Sequence, residues 1–241
     1  MDGSYGVSTN IAVRSRFDFG SGGSQERDMV HGADEAALDT TWLPASRSGA
    51  PTAIVLHGGR GLFGDGDAVL PARSLVASGL NVLLVQGLGG RTIDADGRRR
   101  PKDPRRSRGR VDGLLDRFVD RMDDRRAPAF GVVGISYGAT VALELGAADI
   151  RVRAVVSCFA PLYPHTVAPA ANAPPALILH GRADATVPIG QAAELEVRLR
   201  ASGAAVERIG YDGEGHGFTG PAQLDAVRRI AGFLRLHLAA R

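Results

Sequence analysis

One serine stands between two glycines where an apolar run gives way to a helical pattern. Residues 134–138 read GISYG, with Ser136 at the centre. The apolar run 130–133 precedes them and the stretch 139–145 follows, which predicts a strand, a tight turn and a helix. Side chains at the flanking positions of such a turn would collide, so glycine is needed on both sides. The pattern predicts an exposed hydroxyl nucleophile with helix N-terminal amides behind it.

A carboxylate and an imidazole follow the serine along the chain. Asp184 comes directly after one apolar run, and His216 comes after the next strand-like stretch. Both are therefore expected in loops past strand ends, where catalytic groups gather in an open parallel sheet. We expect His216 to take the proton from Ser136 while Asp184 orients the imidazole. Asp212 and Glu214 lie near the histidine in sequence and are alternative orienting groups.

Four segments together resemble the dienelactone hydrolase-like group of the α/β-hydrolases. They are residues 56–59 (LHGG), 134–138, 180–184 with Val187 and Pro188, and 215–218 (GHGF). The resemblance covers residues 28–238 and implies the α/β-hydrolase fold, a mostly parallel twisted sheet with helices on both faces and no large cap domain. The family's namesake carries a cysteine nucleophile, whereas this chain has Ser136 there. The resemblance therefore implies hydrolysis of an ester-like bond and not the namesake's own reaction.

The reaction of a serine with an ester creates an oxyanion, which needs positioned hydrogen-bond donors worth about 3–4 kcal/mol each. One predicted donor is the backbone amide of Tyr137, the residue after the nucleophile. The second is expected from the glycine-rich loop after residue 57. Gly59 best matches the family position in that loop, and Arg60 is the alternative.

The chain between Ser136 and Asp184 is too short for a large helical cap, so loops must form the substrate walls. The predicted wall loops are residues 60–67, 91–110 and 162–172. The predicted substrate-binding residues are Phe63, Arg98, Tyr163, His165 and Phe218.

The net charge of +3 has a local source. Residues 91–110 hold nine Lys or Arg against three Asp, and the rest of the chain is slightly acidic. This predicted loop has three possible roles: a solvated surface loop without a function, a wall that attracts an anionic substrate, or a segment that binds nucleic acid. The segment lacks interleaved aromatic residues for base stacking, so we expect no nucleic acid. The matching family loop commonly lines the pocket, which favours an anionic ester, lactone or thioester carrier as partner.

Composition sets the broad class. At 241 residues with 44% hydrophobic residues, the chain fits one large α/β domain. No apolar stretch is long enough for a membrane helix, the first residues lack a signal-peptide pattern, and a cytoplasmic location is expected. The single cysteine, Cys158, is expected to be a buried strand thiol. His57 and His180 lack zinc-ligand spacing, so no metal or cofactor is expected.

The domain prediction has two parts: residues 1–26 as a peripheral or flexible segment, and residues 27–241 as a single α/β-hydrolase domain. The first part contains a predicted edge strand. In the second, a hairpin is followed by alternating strands and helices, which indicates a mostly parallel sheet. Among the helices, one with a narrow apolar stripe is predicted over 111–122.

The predicted function is a serine hydrolase that cleaves a small carboxylic ester or lactone through an acyl-enzyme. Thioesterase, acyltransferase or cyclase chemistry of a specialised biosynthetic pathway is the enzymatic alternative. A non-catalytic binding protein on the same fold is the alternative from another class. A homodimer is compatible with the sequence.

Overall fold

The computed structural model describes residues 13–19, 23–32, 35–47, 49–57, 69–86, 88, 103–120, 129–164, 166 and 173–238. Its strands are β1 (Val13–Phe19), β2 (Gly23–Gly32), β3 (Glu35–Leu43), β4 (Thr52–His57), β5 (Asn81–Gln86), β6 (Phe130–Ile135), β7 (Val152–Cys158), β8 (Ala176–Gly181) and β9 (Val206–Tyr211). Its helices are α1 (Val69–Ala77), α2 (Pro104–Asp120), α3 (Tyr137–Ala148), α4 (Gly190–Ala201) and α5 (Gly220–Leu238).

The described strands form one sheet in the order β1-β2-β3-β5-β4-β6-β7-β8-β9. The strands β1, β2, β3 and β5 pair antiparallel in succession, and those from β5 to β9 pair in parallel. The predicted fold class, a mostly parallel sheet flanked by helices, is confirmed. The predicted hairpin corresponds to β2 and β3, and β1 extends the sheet at its edge.

Two apolar layers cover the sheet, because its central strands are buried on both faces. Each of the strands β4, β6 and β8 has six residues, and all of them are buried, as expected for parallel strands between helices. One layer contains core residues of α2, α3 and α4. The other contains core residues of α1 and α5. This packing fixes the carboxyl ends of β4, β6, β7, β8 and β9 beside one another.

The start of α2 corrects the predicted loop over residues 91–110. Residues 104–110 form the first turns of α2, because Asp103 and Pro104 make a helix start. The Asp103 carboxylate accepts the Arg105 amide at 3.0 Å, which satisfies a free donor of the first turn. Proline suits the first helical position, where its missing N–H has no intrahelical partner. Residues 91–102 lie outside the described part of the chain.

Candidate active site

Ser136 lies in the turn between β6 and α3 with a strained backbone. Its φ of 53° and ψ of −125° depart from the regions that residues other than glycine prefer. Such a conformation costs about 1–3 kcal/mol and persists where the surroundings enforce it. Here the Ser136 amide donates to the Cys158 carbonyl at 2.8 Å, which ties the turn to the end of β7.

The two glycines that flank Ser136 permit close backbone contacts. A Cβ atom on Gly134 would lie 2.3 Å from the Cα of Ala139, inside the same turn. A Cβ atom on Gly138 would lie 2.2 Å from the Leu56 carbonyl oxygen at the end of β4. The predicted collisions are therefore present, and glycine lets α3 begin directly against β4.

Asp184 is held in the loop after β8 with its side chain fully buried. Its Oδ1 atom accepts the amides of Thr186 at 2.8 Å and Val187 at 2.9 Å. These bonds fix the carboxylate plane and leave Oδ2 for the imidazoles on the other side. Both partners of Oδ1 are backbone N–H groups, so the fold of this loop sets the position of the carboxylate.

His216 joins Asp184 to Ser136. Its Nδ1 atom lies 2.8 Å from Asp184 Oδ2, and its Nε2 atom lies 3.0 Å from Ser136 Oγ. Because an ionised carboxylate only accepts, Nδ1 carries the proton and donates it to Oδ2. The unprotonated Nε2 then accepts the Ser136 hydroxyl. We call Ser136, His216 and Asp184 the serine–histidine–aspartate cluster.

The loop that carries His216 packs closely against the loop that carries Asp184. The Ala183 amide donates to the Glu214 carbonyl at 2.9 Å. A Cβ atom on Gly181 would lie 2.3 Å from the carbonyl oxygens of both Glu214 and Gly215. Only a glycine at position 181 therefore allows the two loops to approach this closely.

The alternative orienting carboxylates have other partners. Asp212 is largely exposed and pairs with Arg182 at 2.9 Å. Glu214 accepts the amide of Thr219 at 3.0 Å and also its hydroxyl. The imidazole of His216 contacts Asp184 instead.

A second histidine touches the same carboxylate. His180 is buried, and its Nε2 atom donates to the Val187 carbonyl at 2.8 Å and lies 3.3 Å from Asp184 Oδ2. Burial lowers the pKa of His180, while the Val187 carbonyl and the Asp184 charge oppose that shift. His180 thus acts as a buried donor that ties the start of the Asp184 loop to the Val187 carbonyl.

Tyr137 is the first residue of α3, and its side chain is buried beneath α2. Its hydroxyl lies 2.8 Å from the Ser107 hydroxyl, and burial raises the pKa of Tyr137. The Tyr163 ring meets it edge to face, with centroids 6.2 Å apart. Sequence reasoning missed the Ser107 contact, since serine within an arginine-rich helix carries no distinctive signal.

Phe218 differs from its predicted role as a substrate wall. Its ring is 1% exposed and packs against Phe159 and Tyr211, with centroids 4.5 Å apart in both cases. It is a core residue below the histidine loop. Cys158 lies in the same apolar layer, where burial raises the pKa of its thiol to about 12, as expected for an unreactive cysteine.

The other predicted site residues lie outside the described part of the chain. They are Gly59, Arg60, Phe63, Arg98 and His165. The described part of β4 ends at His57, next to the turn of Ser136. No group of three or more metal-ligating side chains occurs among the described residues.

A parallel sheet covered on both faces, with a serine at a strand-to-helix turn bonded to a histidine from a later loop, defines an α/β-hydrolase. The family within that class follows from the sequence. The model of the dienelactone hydrolase family matches residues 45–231, and the chain belongs to this family. It is accordingly a carboxylic ester hydrolase, and its substrates are small-molecule esters.

Solved structures share the fold at low sequence identity. Esterase PE8 has a TM-score of 0.65 and 20% identity, over 80% of this chain and 97% of that chain. A fungal esterase from Rhizomucor miehei has a TM-score of 0.66 and 16% identity, and the match covers 89% of this chain and 84% of the esterase chain. The dienelactone hydrolase from Anabaena variabilis has a TM-score of 0.63 and 18% identity, and the match covers 95% of this chain and 99% of that chain.

No curated protein matches the chain. Among the described residues, no helix has the length and apolar character that crossing a bilayer requires.

Proposed function

We propose that this chain is a serine hydrolase that cleaves a small carboxylic ester or lactone through an acyl-enzyme. The observation that carries the proposal is the continuous hydrogen-bond chain from Asp184 through His216 to Ser136, with contacts of 2.8 and 3.0 Å. A serine hydroxyl is a weak nucleophile at neutral pH and needs a base in this position.

Acylation begins when Ser136 Oγ attacks the carbonyl carbon of the ester. The hydroxyl proton passes to His216 Nε2, and the carbonyl π electrons move onto the oxygen to form a tetrahedral oxyanion. Asp184 remains ionised and stabilises the imidazolium through the Nδ1 proton. Its two backbone amide contacts hold the carboxylate still during the transfer.

The Tyr137 amide and the amide of Gly59, or of Arg60 as the alternative, are the proposed oxyanion donors. Support for the first is the position of Tyr137 directly after Ser136, at the N-terminus of α3. Support for the second is the contact between Gly138 and the end of β4, because residues 58–60 continue from that strand. Loss of one such donor typically lowers kcat by about 10²–10³.

Collapse of the intermediate breaks the bond between the carbonyl carbon and the leaving oxygen. The imidazolium of His216 gives its proton to that oxygen, and an alcohol departs, or a tethered hydroxyl in the case of a lactone. Water then attacks the acyl-enzyme with His216 as base, and the second intermediate releases the acid and restores Ser136. These steps use no cofactor or metal ion.

A fluorophosphonate probe combined with Ser136→Ala tests the proposal. The wild-type protein should be labelled on Ser136. The variant should not be labelled, and its kcat for p-nitrophenyl acetate should be about 10⁴–10⁶-fold lower than that of the wild type. Ser202→Ala is the matched control, since Ser202 is a buried serine at the end of α4 that bonds the Leu199 carbonyl. An unlabelled but active wild type, or an active Ser136→Ala variant, would exclude the proposed nucleophile.

A further inference from the structure

Two non-glycine residues with positive φ occur in the described part of the chain, and they lie side by side. They are Ser136 at 53° and Phe159 at 56°. Ser136 follows Ile135 and Phe159 follows Cys158, which are partners in the parallel register of β6 and β7. The Ser136 amide donates to the carbonyl of Cys158, and the Phe159 amide donates to the Leu179 carbonyl at 3.2 Å. The peptide group that joins Cys158 to Phe159 therefore accepts from the Ser136 amide through its carbonyl and donates through its N–H to β8, the strand that precedes the acid.

The left-handed conformation places the Phe159 ring where a continued strand could not. Successive side chains of a strand point to opposite faces of the sheet. Cys158 and Phe159 are consecutive, yet both pack in the apolar layer on the α1 and α5 face. A bulky residue in this region is sterically disfavoured, and such strain persists where surrounding contacts enforce it.

The Phe159 ring lies against both histidines of the site. Its centroid is 5.3 Å from that of His216 and 5.7 Å from that of His180. On its other side it packs against Phe218 at 4.5 Å. Both imidazoles approach the same oxygen of Asp184, so one ring supports the two groups that surround the carboxylate.

We propose that Phe159 is a positioning residue that holds the His216 imidazole in the plane needed for proton transfer. The inference rests on the proposed function, in which His216 is the base. The hydrogen bonds at Nδ1 and Nε2 hold the two nitrogens, but small changes in the side-chain torsions can still tilt the imidazole. The Phe159 ring, with its centroid 5.3 Å from that of the imidazole, limits that tilt. Because Phe159 is 1% exposed, it supports the reaction without contributing to substrate binding.

The test compares Phe159→Leu with Phe130→Leu. Phe130 has the same side chain and the same 1% exposure. It lies at the N-terminal end of β6, whereas Ser136 follows the C-terminal end of that strand. Phe159→Leu should lower kcat by about ten- to a hundredfold, because small misplacements of a reacting group cost this much. Its KM should change by less than about twofold. Phe130→Leu should lose stability without the effect on kcat.

A second variant, Phe159→Gly, separates the ring from the strained backbone. Glycine adopts positive φ without a steric penalty, so the relief of strain offsets part of the lost packing and favours a folded variant. We expect Phe159→Gly to be at least as slow as Phe159→Leu. In both variants titration with the fluorophosphonate should count the folded sites, and each folded site should label about ten- to a hundredfold more slowly.

The outcomes separate this inference from the proposed function. If Ser136→Ala is inactive and Phe159→Gly or Phe159→Leu matches Phe130→Leu in kcat and labelling rate, Phe159 has no positioning role. A rise in KM alone would also overturn the inference, since it would make Phe159 a binding residue. If Ser136→Ala is active, the proposed function itself fails. A loss of kcat in Ser136→Ala and in both Phe159 variants, with an unchanged kcat for Phe130→Leu, supports both proposals.

Discussion

The serine–histidine–aspartate cluster and the first turns of α2 hold charged groups in opposite ways. The Asp184 side chain is fully buried, three N–H groups donate to it at 2.8 to 2.9 Å, and His180 Nε2 lies 3.3 Å from it. On α2, Arg105 lies 3.9 Å from Glu144, and the Arg105 side chain is 56% exposed. Backbone and buried rings fix the first charge in place. A flexible side chain in water carries the second charge, and such a pair contributes about 0–1 kcal/mol.

The difference teaches which electrostatic effects depend on atomic geometry. Moving a proton along the chain from Ser136 to His216 requires every partner within hydrogen-bond distance. Attraction of a charged substrate requires only a net field, which falls off over about 8–10 Å in salt. Substitutions in the cluster should therefore act through kcat, whereas substitutions among the arginines should act through KM and depend on ionic strength.

After Ser136→Ala, the largest effect should follow Asp184→Asn. The Asn carbonyl oxygen would keep the amides of Thr186 and Val187, so the Asn NH₂ group would face His216. That group donates to Nδ1 and moves the imidazole proton to Nε2, which can then no longer accept from Ser136. We expect kcat for p-nitrophenyl acetate to fall by about 10³–10⁴ with little change in the fold, as judged by circular dichroism.

Asp212→Asn is the matched control for that variant. Asp212 lies on the loop of His216, pairs with Arg182 at the surface, and was an alternative orienting group by sequence. Its substitution should leave kcat within about twofold of the wild type. A large loss for Asp212→Asn together with normal rates for Asp184→Asn would reassign the orienting carboxylate.

A smaller effect should appear in the pH dependence of stability after His180→Gln. Burial lowers the pKa of folded His180, although the Val187 carbonyl and Asp184 oppose the shift. As the pH falls, the unfolded chain therefore binds this proton first, near the ordinary histidine pKa of about 6.5. The stabilisation is fully present above that pH, and it is lost as the pH falls from there through the lowered pKa of the folded protein.

Urea unfolding between pH 8 and pH 5, pH values chosen to bracket about 6.5, measures this contribution. The free energy of unfolding of the wild type should fall more steeply with decreasing pH than that of His180→Gln, whose amide can still donate to the Val187 carbonyl. Carboxylates with lowered pKa values, such as Asp149 and Asp225, act only below about pH 4. Parallel curves for the two proteins would show that His180 is not buried in the neutral form.

The order and spacing of Ser136, Asp184 and His216 could be interpreted from the sequence because each follows a strand whose apolar pattern is clear. The start of α2 could also have been found, since Asp103 and Pro104 form a recognisable helix start. The role of Phe159 could not be predicted from the sequence. A phenylalanine with positive φ arises from tertiary contacts, and neither its residue type nor its neighbours in sequence indicate that conformation.

The smallest effect should come from replacing Arg98, Arg99 and Arg100 with Ser. These residues precede Pro104 by four to six positions in the sequence, and α2, which starts there, contacts Tyr137 through Ser107. At low salt the KM for a carboxylate-bearing ester should rise by about two- to fivefold, and the KM for a neutral ester should stay unchanged. High salt should remove the difference.

The matched control changes three other arginines to Ser, which removes the same charge from exposed positions on β7 and α5. They are Arg153, Arg228 and Arg235. Equal effects on both esters, or equal effects of the two triple variants, would make residues 98–100 a solvated surface segment with no part in substrate attraction.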